Sequence, residues 1–147
     1  MLKSLIVEDT IGVKVHCRNW EDAIKAGTSL LINKNIITQA YEDAIFKNFA
    51  ELGPYMVIAP GIVLSHARPE NSVKTLSMSL VTLEKPIEFG SECNDPVELI
   101  ITLAAIDSNS HIAALKDLMD LFMNAKDLTT ILKASSKQKI LDVINKY

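Results

Sequence analysis

Residues 53–70, GPYMVIAPGIVLSHARPE, decide how the rest of the chain is read. Gly53-Pro54 is a helix stop: glycine takes the left-handed cap conformation and proline cannot continue the helix. Tyr55 to Ala59 reads as a buried strand, Pro60-Gly61 as a turn, and Ile62 to His66 as a second extended segment. Pro69 biases Arg68 towards extended backbone. Side chains alternate along such a segment, so His66 and Arg68 point one way while Ser65 and Ala67 point the other. One reading makes His66 a structural histidine on the Ile62–Leu64 face. Against it stands Arg68, because burying a guanidinium without a counter-charge is costly. A guanidinium is instead a good neighbour for a ring that carries a phosphoryl anion, which its planar fork can grip. His66 is therefore the candidate reactive residue and Arg68 the candidate anion holder.

Upstream, Leu2 to Val7 suggests a helical turn, and Ile11 to Val15 alternates as a half-buried strand does. Asn19 is an N-cap residue followed by Glu21-Asp22 in the first turn, where the macrodipole favours negative charge. The helix it opens has Trp20, Ala23, Ile24, Gly27, Leu30 and Leu31 on one face and closes at Asn33-Lys34-Asn35. A second helix is predicted from about Thr38 to Leu52, with Tyr41, Ala44, Ile45, Asn48, Phe49 and Leu52 on one face. Asn48 there needs a partner or a place at the rim.

Downstream, Thr75 to Leu83 is predicted as a strand, Glu84-Lys85-Pro86 as a turn and Ile87 to Phe89 as a short edge strand. Gly90 to Pro96 reads as a loop. Val97 to Ile106 is nearly all apolar, as in a central strand covered on both faces. A helix follows with Ile112, Leu115, Leu118, Met119 and Phe122 as its buried stripe. Leu128, Ile131 and Leu132 suggest another helical turn. Ser135 with Gln138 resembles a capping box for a last helix. Helices interleaved with buried strands define an α/β chain.

His111 falls in the first turn of the helix after the long apolar strand. It has two readings. It shares a face with Leu115, Leu118 and Phe122, which suits a core histidine. It also lies at a helix N-terminus, where free N–H groups attract anions, beyond the carboxyl end of a strand, where α/β proteins gather ligands. If that strand ends near His66, then His111, the Ser108–Ser110 amides and Arg68 converge on one anion. The chemistry that suits them is phosphoryl transfer. A histidine titrating near pH 6.5 offers a ring-nitrogen lone pair at neutral pH, and a covalent intermediate splits one transfer into two easier steps. His16, beside Cys17 at a strand end, is read as structural or incidental.

Composition excludes several other classes. At 147 residues the chain is expected to form one domain, residues 1–147, large enough to bury roughly 70% of its unfolded surface without disulfide or metal. The net charge of −3 and the lack of a dense basic block argue against nucleic acid. There is no P-loop, G-x-G-x-x-G or H-E-x-x-H, and the three histidines lack zinc-ligand spacing, so no cofactor or metal is expected. Cys17 and Cys93 form no C-x-x-C and fit a reducing compartment. The acidic N-terminal residues do not suit a signal peptide, and the longest apolar run is well short of the ~20 residues that span a bilayer. A cytoplasmic location is expected.

With these motifs placed, the chain resembles the enzyme IIA components of the bacterial sugar phosphotransferase system (PTS), in the mannitol/fructose class and its ascorbate-type branch. The resemblance is carried by NWEDAI at 19–24, Tyr41, GPYMVIAPGI at 53–62, HARPE at 66–70, Phe89-Gly90, NDPV at 94–97 and Ser110-His111, in order along essentially the whole chain. It implies a mixed β-sheet of about five strands flanked by helices on both faces. It implies that His66 is phosphorylated and that His111 assists. The donor would be the histidine phosphocarrier HPr, and the acceptor a cysteine of a separate enzyme IIB coupled to a membrane permease IIC. The substrate of such a system stays open, with ascorbate or a pentitol-like sugar as candidates, as does the choice between monomer and homodimer. A regulatory module phosphorylated at His66 is the alternative function. One departure is Ser65, where the branch usually carries proline before the active histidine.

Overall fold

Five strands and six helices follow from the caps and alternations of the sequence, in a computed structural model that describes residues 1–107 and 109–147. In chain order they are α1 (Leu2–Leu5), a 3-10 turn (Glu8–Thr10), β1 (Ile11–Val15), α2 (Trp20–Asn33), α3 (Gln39–Leu52), β2 (Val57–Ala59), β3 (Ile62–Ser65), β4 (Ser77–Ile87), β5 (Val97–Ala104), α4 (Ile112–Met123), α5 (Ala125–Lys133) and α6 (Lys137–Ile144). Asn19 caps α2 as expected, its side chain accepting from the Asp22 amide at 2.9 Å. Gly53 ends α3 with φ 74°, a backbone state that costs a side-chain-bearing residue energy. Its N–H closes the helix on the Phe49 carbonyl.

The sheet runs β1-β4-β5-β3-β2. β1 is parallel to β4 and β3 is parallel to β5; β4 and β5, and β2 and β3, are antiparallel. The expected mixed sheet is thus present, with β5 at its centre. Alternation along β5 sends Leu99, Ile101 and Leu103 into one core with α1, α4, α5 and α6. Ile100 and Ala104 face the other core, against α2 and α3. Helices therefore cover both faces. Each fully buried Leu or Ile contributes about 1.5–3 kcal/mol of transfer free energy. Because β3 and β5 are parallel and Ser65 is level with Thr102, both strands discharge their chains at the same edge of the sheet.

Several boundaries differ from the sequence expectation. The chain does not turn at Glu84-Lys85-Pro86. β4 continues through it to Ile87, which pairs with Val97 across a break in register that begins after Thr82. A proline lacks the ladder N–H, and an interrupted stretch of ladder accommodates it. Ile87 accordingly belongs to an interior strand and not to a separate edge strand. β2 starts at Val57, and Tyr55 is exposed and not buried in a strand. Ser136, not Ser135, caps α6, accepting from the Lys139 amide, while Gln138 bonds Asp142. On α4 the buried residues are Ala114, Leu118 and Leu121; Ile112 and Met119 are exposed. Both cysteines are free.

One buried charge ties the C-terminal residues down. Asp127 of α5 is buried and accepts from Lys146 Nζ at 2.8 Å and Tyr147 Oη at 2.6 Å. The Lys146 contact first, then Tyr147, hold its carboxyl below the usual carboxylate range. A depressed folded-state pKa gives stability that is present above the unfolded value near 3.9 and is lost as pH falls through the folded one. Asp127→Asn is therefore expected to lower the melting temperature at neutral pH and to flatten the decline below about pH 4. Thermal melts across that range check it; parallel curves for the two proteins would contradict it.

Candidate active site

His66 is the first residue beyond β3. Its Nδ1 lies 2.9 Å from the Leu64 carbonyl oxygen. A carbonyl only accepts, so Nδ1 carries the proton and the lone pair of the neutral ring is at Nε2. Tyr55 meets the ring edge-to-face, with centroids 6.1 Å apart and planes at 77°. Both line a cavity of about 480 Å³ with Asn48, Leu52, Ala67 and Arg68. Arg68 is exposed and makes no ion pair with a described residue. His66 and Arg68 thus line one cavity, although Ala67 lines it too and β3 ends at Ser65, so strand alternation does not account for it. Asn48, the polar residue on an otherwise apolar face, sits at the rim of this cavity.

His111 caps α4, half-buried and outside the hydrophobic core. It follows β5 off the same edge of the sheet that His66 leaves, yet it does not line the cavity that His66 shares with Arg68. Its Nδ1 lies 3.3 Å from the Asp107 carbonyl oxygen. The expectation that the Ser108–Ser110 amides hold an anion is corrected in part. The Asp107 carboxylate already accepts from the Asn109 and Ser110 amides, at 2.9 and 2.6 Å. Those two bonds hold its pKa below the ordinary value. Ser108 itself lies outside the described residues. His16 is exposed, 3.5 Å from a Glu84 carboxylate oxygen, as an incidental histidine is expected to be.

One support of the site escapes reasoning from periodicity. Tyr41, placed by periodicity on an apolar face and counted in the family resemblance with no role assigned, is buried, and its hydroxyl reaches the segment next to His66. At the other end of β5, away from the site, Asp95 gathers the amides of Phe89, Gly90 and Ser91 at 2.7–3.0 Å and closes the loop before the strand. Periodicity reports burial, but the reach of a side-chain oxygen across elements leaves no local signal. Among the described residues, no three His, Cys, Asp or Glu side chains are grouped as a metal site needs. No helix among the described residues is long and apolar enough to cross a membrane.

The sheet presents a histidine and an exposed arginine at one edge, and comparison with known proteins gives the class. Residues 4–147 match the family "Phosphoenolpyruvate-dependent sugar phosphotransferase system, EIIA 2". The ascorbate-specific PTS system EIIA component of Shigella dysenteriae serotype 1 (strain Sd197) is 38% identical over 144 residues, 97% of this chain and 94% of its own. The solution structure of the mannitol-specific cryptic phosphotransferase enzyme IIA CmtB from Escherichia coli superposes with TM-score 0.88 at 35% identity, covering 99% of each chain. The mannitol IIA in a complex with phosphorylated IIB from Escherichia coli, at 18% identity, shares the fold alone (TM-score 0.84, 97% of this chain and 100% of that one). The chain belongs to the type-2 EIIA family. It is a IIA component of a sugar-uptake phosphotransferase system, and so a phosphotransferase, as the HARPE and NDPV resemblance implies.

Proposed function

We propose that His66 accepts a phosphoryl group from phospho-HPr and passes it to a cysteine of a separate enzyme IIB, in the cytoplasm, for uptake through a IIC permease. The single observation that carries this reading is the 2.9 Å approach of His66 Nδ1 to the Leu64 carbonyl oxygen: a carbonyl only accepts, so the proton is assigned to Nδ1 and the lone pair to Nε2. In the first step Nε2 attacks the phosphorus of the donor phosphohistidine. The Nε2–P bond forms as the donor N–P bond breaks, and that electron pair returns to the donor ring. In the second step the IIB thiolate attacks the same phosphorus and the His66 lone pair is restored. Metaphosphate-like transfer asks little covalent work of the protein, so positioning and charge stabilisation dominate. Arg68 and the Asn48 amide supply donors to the phosphoryl oxygens, and His111 assists from the same edge of the sheet.

Protein partners suit the surroundings of His66. Leu52 is 63% exposed and lines the His66 cavity beside Tyr55. An apolar groove of about 650 Å³, reached from Leu64 of β3, is walled by Ile58, Leu115, Met119, Phe122 and Met123. Exposed apolar surface of this kind marks protein–protein contact. A sugar is not the ligand of such a site, so its identity follows from the relatives alone: they point to ascorbate.

The test is incubation with phosphoenolpyruvate, enzyme I and HPr, followed by assay for acid-labile phosphate on the chain. No label would overturn the reading. Discharge on adding the cognate IIB separates a carrier from a regulator phosphorylated at the same residue. Arg68→Ala and His111→Ala are each expected to slow acceptance by roughly 10- to 1,000-fold, the range of losing one donor to developing charge. Neither should lower the melting temperature by more than a degree or two, since Arg68 is exposed and His111 half-buried. A wild-type rate removes the residue from the mechanism.

A further inference from the structure

We propose that Tyr41 is a positioning residue whose hydroxyl is inserted between β3 and β5 in place of a ladder hydrogen bond, and that this insertion sets the direction of the His66–Arg68 segment. The proposal rests on the reading of His66 as the phosphoryl acceptor. In the β3–β5 ladder Ile62 is level with Leu99 and Ser65 with Thr102, and the Leu99 amide donates to the Gly61 carbonyl at 3.0 Å. Parallel pairing repeats every two residues. Continued past Ser65, the pattern would join the Ala67 amide directly to the Leu103 carbonyl. That rung is replaced. The Ala67 amide donates to Tyr41 Oη at 3.1 Å, and Tyr41 Oη donates to the Leu103 oxygen at 2.6 Å.

The consequence is geometric. One oxygen, brought from α3 by a tyrosine that is 1% exposed, bridges two backbone groups that the ladder would otherwise hold in direct contact. The two strands are spread at this level, and the chain after Ser65 leaves the sheet with both backbone groups still satisfied. The His66 ring is then held from two sides. Its own Nδ1 is bound to the Leu64 carbonyl, and the amide of the next residue is bound to Tyr41. A phenylalanine keeps the ring that fills the gap and removes only the bridge. It leaves the Ala67 N–H and the Leu103 carbonyl without partners and too far apart to meet.

Tyr41→Phe tests the inference with two independent readouts. In the unphosphorylated protein, hydrogen exchange at the Ala67 amide is expected to rise at least about tenfold while the β4 amides keep their protection. Phosphoryl acceptance from phospho-HPr is expected to fall roughly 10- to 100-fold through kcat, with the donor KM unchanged, as displacement of a reacting group does. Ile45→Val, also buried on α3, is the control for stability alone. Unchanged Ala67 exchange, or a transfer rate no lower than that of Ile45→Val, overturns the proposal. The exchange arm needs no partner protein, so a wild-type chain that takes no phosphate would end the carrier reading and leave the Tyr41 bridge still decided. If Tyr41→Phe does not fold, the wild-type protein decides: a slowly exchanging Tyr41 hydroxyl proton with a cross-peak to the Ala67 amide supports the bridge, and its absence overturns it.

Discussion

Alanine at position 66 is expected to reduce phosphoryl acceptance by at least about 10⁴-fold, the scale of losing a covalent nucleophile. Nothing else in the cavity replaces it. Arg68 has no lone pair to offer, Asn48 is an amide and Tyr55 a phenol, both poor nucleophiles at neutral pH. The fold is expected to survive. His66 is only half-buried, and its ring makes one hydrogen bond, to the Leu64 carbonyl, worth about 1 kcal/mol. Activity and stability therefore separate: His66→Ala melts within a few degrees of wild type and carries no acid-labile phosphate. Undiminished label on the variant would place the reacting nitrogen elsewhere.

Gly27→Ala is expected to cost about 2 kcal/mol, although alanine is the better helix former by roughly 1 kcal/mol. Gly27 is buried on α2, where the helix crosses the centre of the sheet. A Cβ built there would lie 2.2 Å from Thr102 Oγ1 and 3.3 Å from Ser79 Oγ. Thr102 is β-branched and stiff at χ1, so it yields poorly. Moving α2 away instead breaks the 2.9 Å bond from Ser79 Oγ to the Gly27 carbonyl. For a chain of this size the loss amounts to a melting-temperature drop of roughly 4–8 °C. Adding Thr102→Ala is expected to recover most of it, because the second change removes the atom in the way. Among the described residues, Thr102 Oγ1 has no hydrogen-bond partner to lose. A double-mutant cycle measures that coupling. A Gly27→Ala protein more stable than wild type would show that the approach of α2 to β5 is looser than described.

Much of this frame was legible because caps and alternation are local. Asn19 and Gly53 mark helix ends through their own backbone chemistry, and the segment after Pro60-Gly61 brings His66 and Arg68 to one cavity. What was not legible depended on distant partners. Glu84-Lys85-Pro86 has the composition of a turn, yet Ile87 has Val97 to pair with, and the strand continues through an irregular rung. α4 carries apolar residues on more than one stripe. Periodicity does not say that Ala114, Leu118 and Leu121 face the core while Met123 stays 85% exposed. An apolar residue kept for a docking partner looks the same in sequence as one kept for the interior. Ser65 follows the same logic: it is fully buried with an unpartnered hydroxyl, and nothing in the structure explains why serine stands there.

The central claim is that Nε2 of His66 carries the phosphoryl group. It is tested most directly by NMR on protein labelled with 15N in its histidine rings, phosphorylated by phosphoenolpyruvate, enzyme I and HPr. Phosphorus is expected to couple to Nε2 of His66, with the Nδ1 proton retained against the Leu64 carbonyl. Coupling at Nδ1 of His66, or to a ring nitrogen of His111 or His16, would contradict it.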